Sequence, residues 1–166
     1  EVPPAVKNFA WRLNSNSLPT WANKHKIGLE SSPLCPVCAM EPEDNFHPML
    51  RCPLARHLYE TMAEVWRLPR IDTIKFSGKE WLFQTLECLD DSQRSMILFT
   101  FWRCWYVRNE VVHSKPAPPV EASSRFLQSY LNSMIAVKAS TSADQMKGKA
   151  STNQERRARQ PPLVQS

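Results

Sequence analysis

Four side chains that can bind a metal ion fall within eighteen residues of this chain, and their spacing constrains the local fold more than any other feature. They follow the pattern Cys-x2-Cys-x8-His-x4-Cys, with ligands at Cys35, Cys38, His47 and Cys52. Two thiolates two residues apart can hold one zinc ion at about 2.3 Å, and a histidine and a third cysteine complete a tetrahedron. The spacing therefore predicts one zinc ion. Because protein would fill all four positions, we expect a structural rather than a catalytic site.

The composition around these residues favours a metal over a disulfide framework. Residues 31–53 hold three of the five cysteines and several prolines, but few large apolar side chains with which to form a core. An odd number of cysteines without a secretory leader indicates an intracellular, reducing compartment, either nucleus or cytoplasm. Spacing leaves one alternative open, because His57 follows Cys52 by five residues and could replace His47 as the fourth ligand.

The segment from Val6 to Tyr59 carries a resemblance to a known family. The residues concerned are Val6-Lys-Asn-Phe-Ala-Trp-Arg-Leu13, Leu18-Pro19-Thr20, Cys35-Pro36-Val37-Cys38, Glu43, His47, Cys52-Pro53 and Ala55-Arg56. They resemble the zinc-binding region that follows the polymerase in plant LINE-type (non-LTR) retrotransposon reverse transcriptases. The resemblance implies ligation by Cys35, Cys38, His47 and Cys52, and so favours His47 over His57. A looser similarity covers Phe101–Asn109, which looks like the stretch that connects the zinc region to a ribonuclease-H-like domain.

The chain has only three glycines, and its apolar residues recur at helical spacing. We predict a mainly α fold: a small helical domain stapled by the zinc site, then further helices and a disordered basic tail. The corresponding domains are a zinc-binding helical module at 1–70, a helical connector at 71–137 and a tail at 138–166. The first two predicted helices are Val6–Leu13 and a short helix that starts around Leu18-Pro19 and stops by Gly28. A third starts at Pro53 and has Leu54, Leu58, Met62 and Val65 on one face. A fourth starts at the capping box Ser77–Glu80, with Leu82, Leu86 and Leu89 in line. A long helix at 92–113 and another at 120–137 follow.

Basic residues provide two sets of candidates for contact with nucleic acid. The net charge is +5, of which +4 lies in residues 138–166, where few apolar residues are available to offset the entropy of ordering. Arg156, Arg157 and Arg159 in this tail form the first set. The second set flanks the zinc loop on two short helices and consists of Lys7, Arg12, Lys24 and Lys26, with His25 beside them. For both sets the alternative is a solvated surface without a partner.

The aromatic residues from Phe99 to Tyr106 allow either a core or a surface on which bases stack. Leu98, Trp102, Trp105 and Val112 repeat at helical spacing, so we predict core packing. Cys88 and Cys104 lie in apolar helices without a paired histidine, and we expect both to be buried and unreactive.

Catalytic centres are not evident. The adjacent Asp90 and Asp91 lie between helical patterns and are interpreted as a loop and a helix cap rather than as a two-metal polymerase site. No alternating strands that would support a ribonuclease H centre occur. The longest apolar stretch, Met96–Trp102, is too short to span a membrane. We therefore predict a non-enzyme without a small-molecule substrate.

The predicted function is that of a non-catalytic zinc module that binds or positions RNA or DNA. Its expected partners are that nucleic acid and the neighbouring polymerase or ribonuclease-H-like domains of a longer protein. The alternative is a structural connector or protein-docking module that does not contact nucleic acid. A retained inactive fragment is a third hypothesis that the sequence does not separate from these two.

Overall fold

The computed structural model describes the backbone of residues 1–158 and the side chains of residues 1–154. The prediction of a mainly helical fold is confirmed. Among these residues the β-structure amounts to one isolated antiparallel bridge between Leu34 and Pro42. The elements in chain order are α1 (Pro4–Asn14), α2 (Trp21–Lys26), a π-helical turn (His47–Arg51), α3 (Pro53–Trp66), a 3-10 turn (Ile71–Thr73), α4 (Trp81–Glu87), α5 (Asp91–Val112) and α6 (Val120–Ala158).

The two predicted helices before the metal loop (residues 31–53) are present, but α2 begins at Trp21 rather than near Leu18-Pro19. Pro4 occupies the first turn of α1, where a missing N–H costs nothing, and Val6, Phe9 and Leu13 are buried along one face. The shorter α2 begins after Thr20, whose side chain accepts a hydrogen bond from the Asn23 backbone N–H at 3.3 Å.

Helix α3 begins at Pro53 as predicted, but its inner face is rotated from the predicted one. The buried residues are Ala55, Leu58, Tyr59 and Met62, at spacings of three and four. Val65, predicted to be on the inner face, is 45% exposed. The reason is the position of α5, which packs against α3 and determines which side of the helix is covered.

The predicted capping box at the start of α4 is wrong. The helix begins at Trp81, and its N-terminal flanking residue Glu80 makes no side-chain cap. Gly78 has a φ of +91°, which is incompatible with a helical turn through Ser77–Glu80. Trp81, Leu82 and Leu89 are buried, whereas Leu86 is half-buried.

The core of the folded region is built around α5 and a chain of aromatic rings. Tyr59 stacks on Phe101 with ring centroids 5.8 Å apart, and Trp81 meets the edge of Phe101 at 5.8 Å. Phe46 in turn packs on Trp81 at 4.8 Å. This chain of rings joins the metal loop to α3, α4 and α5.

The prediction that the α5 aromatics pack in a core is confirmed for Trp105, which is buried, but not fully for Trp102, which is half-buried. Leu98 and Val112 are also half-buried, because the covered side of α5 is centred on Ile97, Phe101 and Cys104. Cys104 is buried as predicted. Cys88 is exposed, contrary to prediction, because it follows the last residue of α4 and lies outside the helical face that packs inward.

The chain forms two compact units, the first covering Glu1–Leu127 and the second beginning at Gln128. The domain boundaries predicted after residues 70 and 137 stay a prediction. In the second unit, α6 continues as helix to Ala158, where a disordered tail was predicted from Lys138. Hydrogen bonds within the helix require no core, and residues 135–154 are all exposed, as expected from their polar composition. Residues 159–166 lie outside the described part of the chain.

Candidate metal centre

The first two ligands lie at the tip of a narrow hairpin. The Cys35 N–H donates to the Glu41 carbonyl at 2.8 Å, beside the bridge between Leu34 and Pro42. The turn between them is closed by the Ala39 N–H, which donates to the Cys35 carbonyl at 2.9 Å. The Val37 N–H also donates to the Cys35 sulfur at 3.4 Å. This turn holds Cys35 and Cys38 on one side of the hairpin.

The other two ligands flank the π-helical turn. The carboxylate of Asp44 accepts from the backbone N–H groups of Phe46 and His47, at 3.0 and 2.8 Å, and so starts the turn. The turn ends where the Cys52 N–H donates to the His47 carbonyl at 2.8 Å. A π-helical turn widens the backbone by one residue, and such turns are frequent at functional sites. It brings His47 and Cys52 to the same side as the hairpin thiols.

The four predicted ligands converge on one point. The ligand atoms of Cys35, Cys38, His47 and Cys52 lie within 4.8 Å of one another. Nε2 of His47 faces the Cys38 sulfur at 3.3 Å, so this nitrogen points toward the thiols. Three of the four residues are buried and Cys38 is half-buried. Among the described residues, this is the one cluster of three or more such side chains that can hold a metal ion.

The alternative fourth ligand lies elsewhere. His57 is exposed on α3 and is absent from the cluster, although its sequence spacing from Cys52 would suit a metal site. The helical backbone explains this difference. Five residues along a helix rotate the side-chain direction by one full turn plus about 140°, so His57 faces away from Cys52. The geometry therefore supports the ligand set that the family resemblance implies.

The ionisable groups of the cluster shift one another's pKa values. A hydrogen bond with Cys52, together with burial, raises the pKa of Cys35 to about 12, and the same hydrogen bond lowers the pKa of Cys52. Burial lowers the pKa of His47, but hydrogen bonds and charge from Cys35 and Cys38 outweigh burial and raise the pKa to about 9. Thiols this close share protons and negative charge. Metal binding replaces those protons, because thiolates are the ligands.

A buried ion pair that the sequence did not predict connects the metal loop to α5. Nη2 of Arg108 lies 2.7 Å from Oε1 and 3.0 Å from Oε2 of Glu43. The guanidinium also lies 4.6 Å over the Trp105 ring and donates to the Asn109 side chain at 3.0 Å. Burial raises the pKa of Glu43, and the charge of Arg108 opposes that rise. Arg108 is four residues after the buried Cys104, and a charged residue on a buried helical face is the signal that could have predicted a partner.

The lysines and arginines predicted to contact nucleic acid do not form one cluster of unpaired charges. Lys7 pairs with Glu1 at 3.3 Å, and Lys24 lies 3.9 Å from Glu30. Arg12 is half-buried and donates to the Ser17 carbonyl at 3.3 Å. Lys26 is exposed at the end of α2.

Two of the three arginines predicted in the tail to contact nucleic acid lie in α6. Arg156 and Arg157 lie in the last turns of α6, where the structure describes the backbone but not the side chains. Arg159 lies outside the described residues.

The adjacent aspartates have the capping role that the sequence predicted. Asp90 precedes α5 and accepts from the Gln93 N–H at 2.8 Å, and Asp91 pairs with Arg94 at 3.2 Å. In the part of the chain that is described, no helix is long and apolar enough to cross a lipid bilayer.

Together, the fold and the site define a helical region with a Cys3His cluster that can hold a metal ion. Residues 1–59 match a family model described as zinc-binding in reverse transcriptase, which confirms the resemblance to a reverse-transcriptase zinc-binding region over that part of the chain. The matched family is a zinc-binding region and not a polymerase or ribonuclease H catalytic domain. No curated protein and no solved structure shows significant similarity to the chain.

Proposed function

We propose that this chain is a non-catalytic zinc-binding module of a retrotransposon reverse-transcriptase-like protein, and that it binds or positions RNA or DNA. The observation that carries the proposal is the convergence of Cys35, Cys38, His47 and Cys52 within a segment that matches the zinc-binding family. Three thiolates and one imidazole suit zinc, and a site in which protein supplies all four ligands is typical of a structural ion.

When bound, zinc would cross-link the hairpin to the π-helical turn and the start of α3. The large apolar side chains that are buried in this region are Phe46, Met49 and Leu50. Structural zinc in finger peptides contributes roughly 10–16 kcal/mol of apparent binding free energy. The ion would therefore stabilise a loop that hydrophobic burial alone stabilises poorly.

The nucleic-acid part of the proposal is supported by the position of α2 beside the metal loop. The backbone N–H of Ala22 in α2 donates to the Glu43 carbonyl of the loop at 3.1 Å. Lys24, His25 and Lys26 form the last turn of α2, and the positive charges of the two lysines can attract phosphate without reading sequence.

The proposal predicts stoichiometric zinc and salt-sensitive binding to single-stranded nucleic acid. Protein purified without chelator is analysed for metal and then titrated with labelled RNA and DNA of the same sequence. The double substitution Lys24→Glu with Lys26→Glu should weaken binding and reduce the salt slope by about 1.4, since each phosphate contact with a single strand contributes roughly 0.7. Lys79→Glu is the control, because Lys79 is an exposed lysine ahead of α4. Absence of zinc, or equal effects of the two charge changes, would contradict the proposal.

A second candidate function is docking to a neighbouring polymerase or ribonuclease-H-like domain without contact to nucleic acid. The observation in its favour is the exposure of four large apolar side chains around α1, α2 and the metal loop. These are Trp11 (67%), Ile27 (72%), Leu29 (69%) and Met40 (66%). If neither RNA nor DNA binds to the zinc-loaded chain at low salt, docking becomes the better proposal.

A further inference from the structure

We propose that Arg108 of α5 is a positioning residue for the metal centre, which acts through Glu43. The inference rests on the proposed function in that zinc occupies the Cys3His cluster. It goes beyond that function because Arg108 lies well outside residues 1–59, the segment that matches the zinc-binding family. The metal centre would thus depend on a helix that the family match does not include.

Glu43 connects the metal loop to neighbouring segments through both its backbone and its side chain. Its backbone N–H donates to the Pro33 carbonyl at 2.9 Å, and its carbonyl accepts from the Ala22 N–H at 3.1 Å. Glu43 therefore ties the two arms of the Cys35–Cys38 hairpin together and joins them to α2. Its side chain is fully buried and its carboxylate contacts Arg108.

Arg108 provides the opposite charge from a fixed position. Its side chain is 7% exposed, lies over the Trp105 ring and is further restrained by the Asn109 side chain. A planar guanidinium held in this way presents a preformed site for the carboxylate. The pair therefore fixes the hairpin relative to α5, while His47 and Cys52 approach from the π-helical turn.

The Glu43–Arg108 pair also affects the charge around the bound zinc ion. A divalent ion bound by three thiolates carries a net charge of about −1. A Glu43 carboxylate left unpaired in the interior would add a second negative charge to the same loop. Removing one partner of a buried ion pair is strongly destabilising, whereas replacing both with apolar residues is often tolerated.

The test measures zinc release together with thiol accessibility in the zinc-loaded full chain. The Arg108→Met variant should release zinc to a chromophoric chelator on the order of tenfold faster than the wild type. This is expected when a residue that supports a metal ligand is lost. Arg103→Met on the same helix is the matched control, because Arg103 contacts Tyr106, Phe126 and Ser123 rather than the metal loop.

Two cysteines outside the cluster report whether the effect is local. Cys104 lies buried on α5 and should be alkylated only after global unfolding, whereas Cys88 is exposed and should react in every variant. Arg108→Met should therefore increase alkylation of Cys35, Cys38 and Cys52 while Cys104 stays protected.

If Arg108→Met exposes Cys104 as well, that variant unfolds globally, and the double variant Glu43→Met with Arg108→Met decides the question instead. It should restore zinc retention toward the wild-type rate.

The outcomes separate the inference from the proposed function. A wild-type chain without zinc contradicts the proposed function. A zinc-loaded wild type whose Arg108→Met variant releases zinc at the wild-type rate overturns the role of Arg108. A double variant that retains zinc no better than an unfolded Arg108→Met variant overturns it too.

Discussion

At the scale of single residues, the two histidines near Cys52 illustrate what spacing can and cannot decide. Both His47 and His57 lie within five residues of Cys52 in sequence, so each is a reasonable ligand by spacing alone. In the structure Nε2 of His47 faces the Cys38 sulfur and the side chain is buried, whereas His57 points from α3 toward solvent. The choice depends on the backbone between ligand and cysteine, a π-helical turn in one case and a regular helix in the other.

Substitution of each histidine should give opposite results. His47→Ala removes a ligand, so the zinc affinity should fall by more than the roughly 10–100-fold that loss of a supporting residue costs. His57→Ala should leave affinity unchanged, because the side chain is exposed and outside the cluster. Competition with a chromophoric chelator measures both. Loss of affinity in His57→Ala with retention in His47→Ala would move the site to the alternative ligand set.

The cluster of four side chains could be predicted from sequence, but the buried ion pair beside it could not. The four ligands are local in sequence, and the geometry of a tetrahedral site limits their spacing. Glu43 and Arg108 are separated by 65 residues, and their pairing depends on how α5 packs on the metal loop. Sequence showed only a charge on the buried side of an apolar helix, which indicates that a partner exists without identifying it.

At the scale of elements, helices were easier to predict than the faces they bury. Periodicity predicted α1, α3 and α5 because apolar residues recur every three to four positions in each. The covered face depends on the partner helix, so Val65 and Cys88 are exposed although they lie in or next to apolar helices. The helical end of α6, where the sequence predicts disorder, has another reason: a helix can extend without burying side chains.

Two tryptophans of α5 should differ in their contribution to stability. Trp105 is buried and supports the guanidinium of Arg108, so Trp105→Ala should lower the free energy of unfolding by roughly 3–5 kcal/mol. Trp102 is half-buried and packs against Phe126 at 6.3 Å, so Trp102→Ala should cost less. Chemical denaturation of the zinc-loaded variants measures the difference. Equal losses would show that the two rings are equally enclosed.

At the scale of the whole molecule, the metal centre and the helical core form one folded unit. The family match ends at Tyr59, yet the ring of Tyr59 stacks on Phe101, and Phe46 of the metal loop packs on Trp81. These ring contacts and the Glu43–Arg108 pair join the matched segment to residues that follow it. The candidate metal centre therefore packs against residues that lie beyond the matched segment.

The second unit should contribute charge but little stability. Residues 138–166 carry +4 of the net +5, and the described side chains in this segment are exposed. Deleting them should leave zinc content and thermal stability of the remaining chain unchanged, because the described side chains among them, at 138–154, cover no core. The same deletion should flatten the salt dependence of binding to single-stranded nucleic acid, where each phosphate contact contributes a slope of about 0.7. Fluorescence titrations of full-length and shortened chains at several salt concentrations measure this change. An unchanged slope would mean that the tail makes no phosphate contact and would assign the attraction to the lysines of α2.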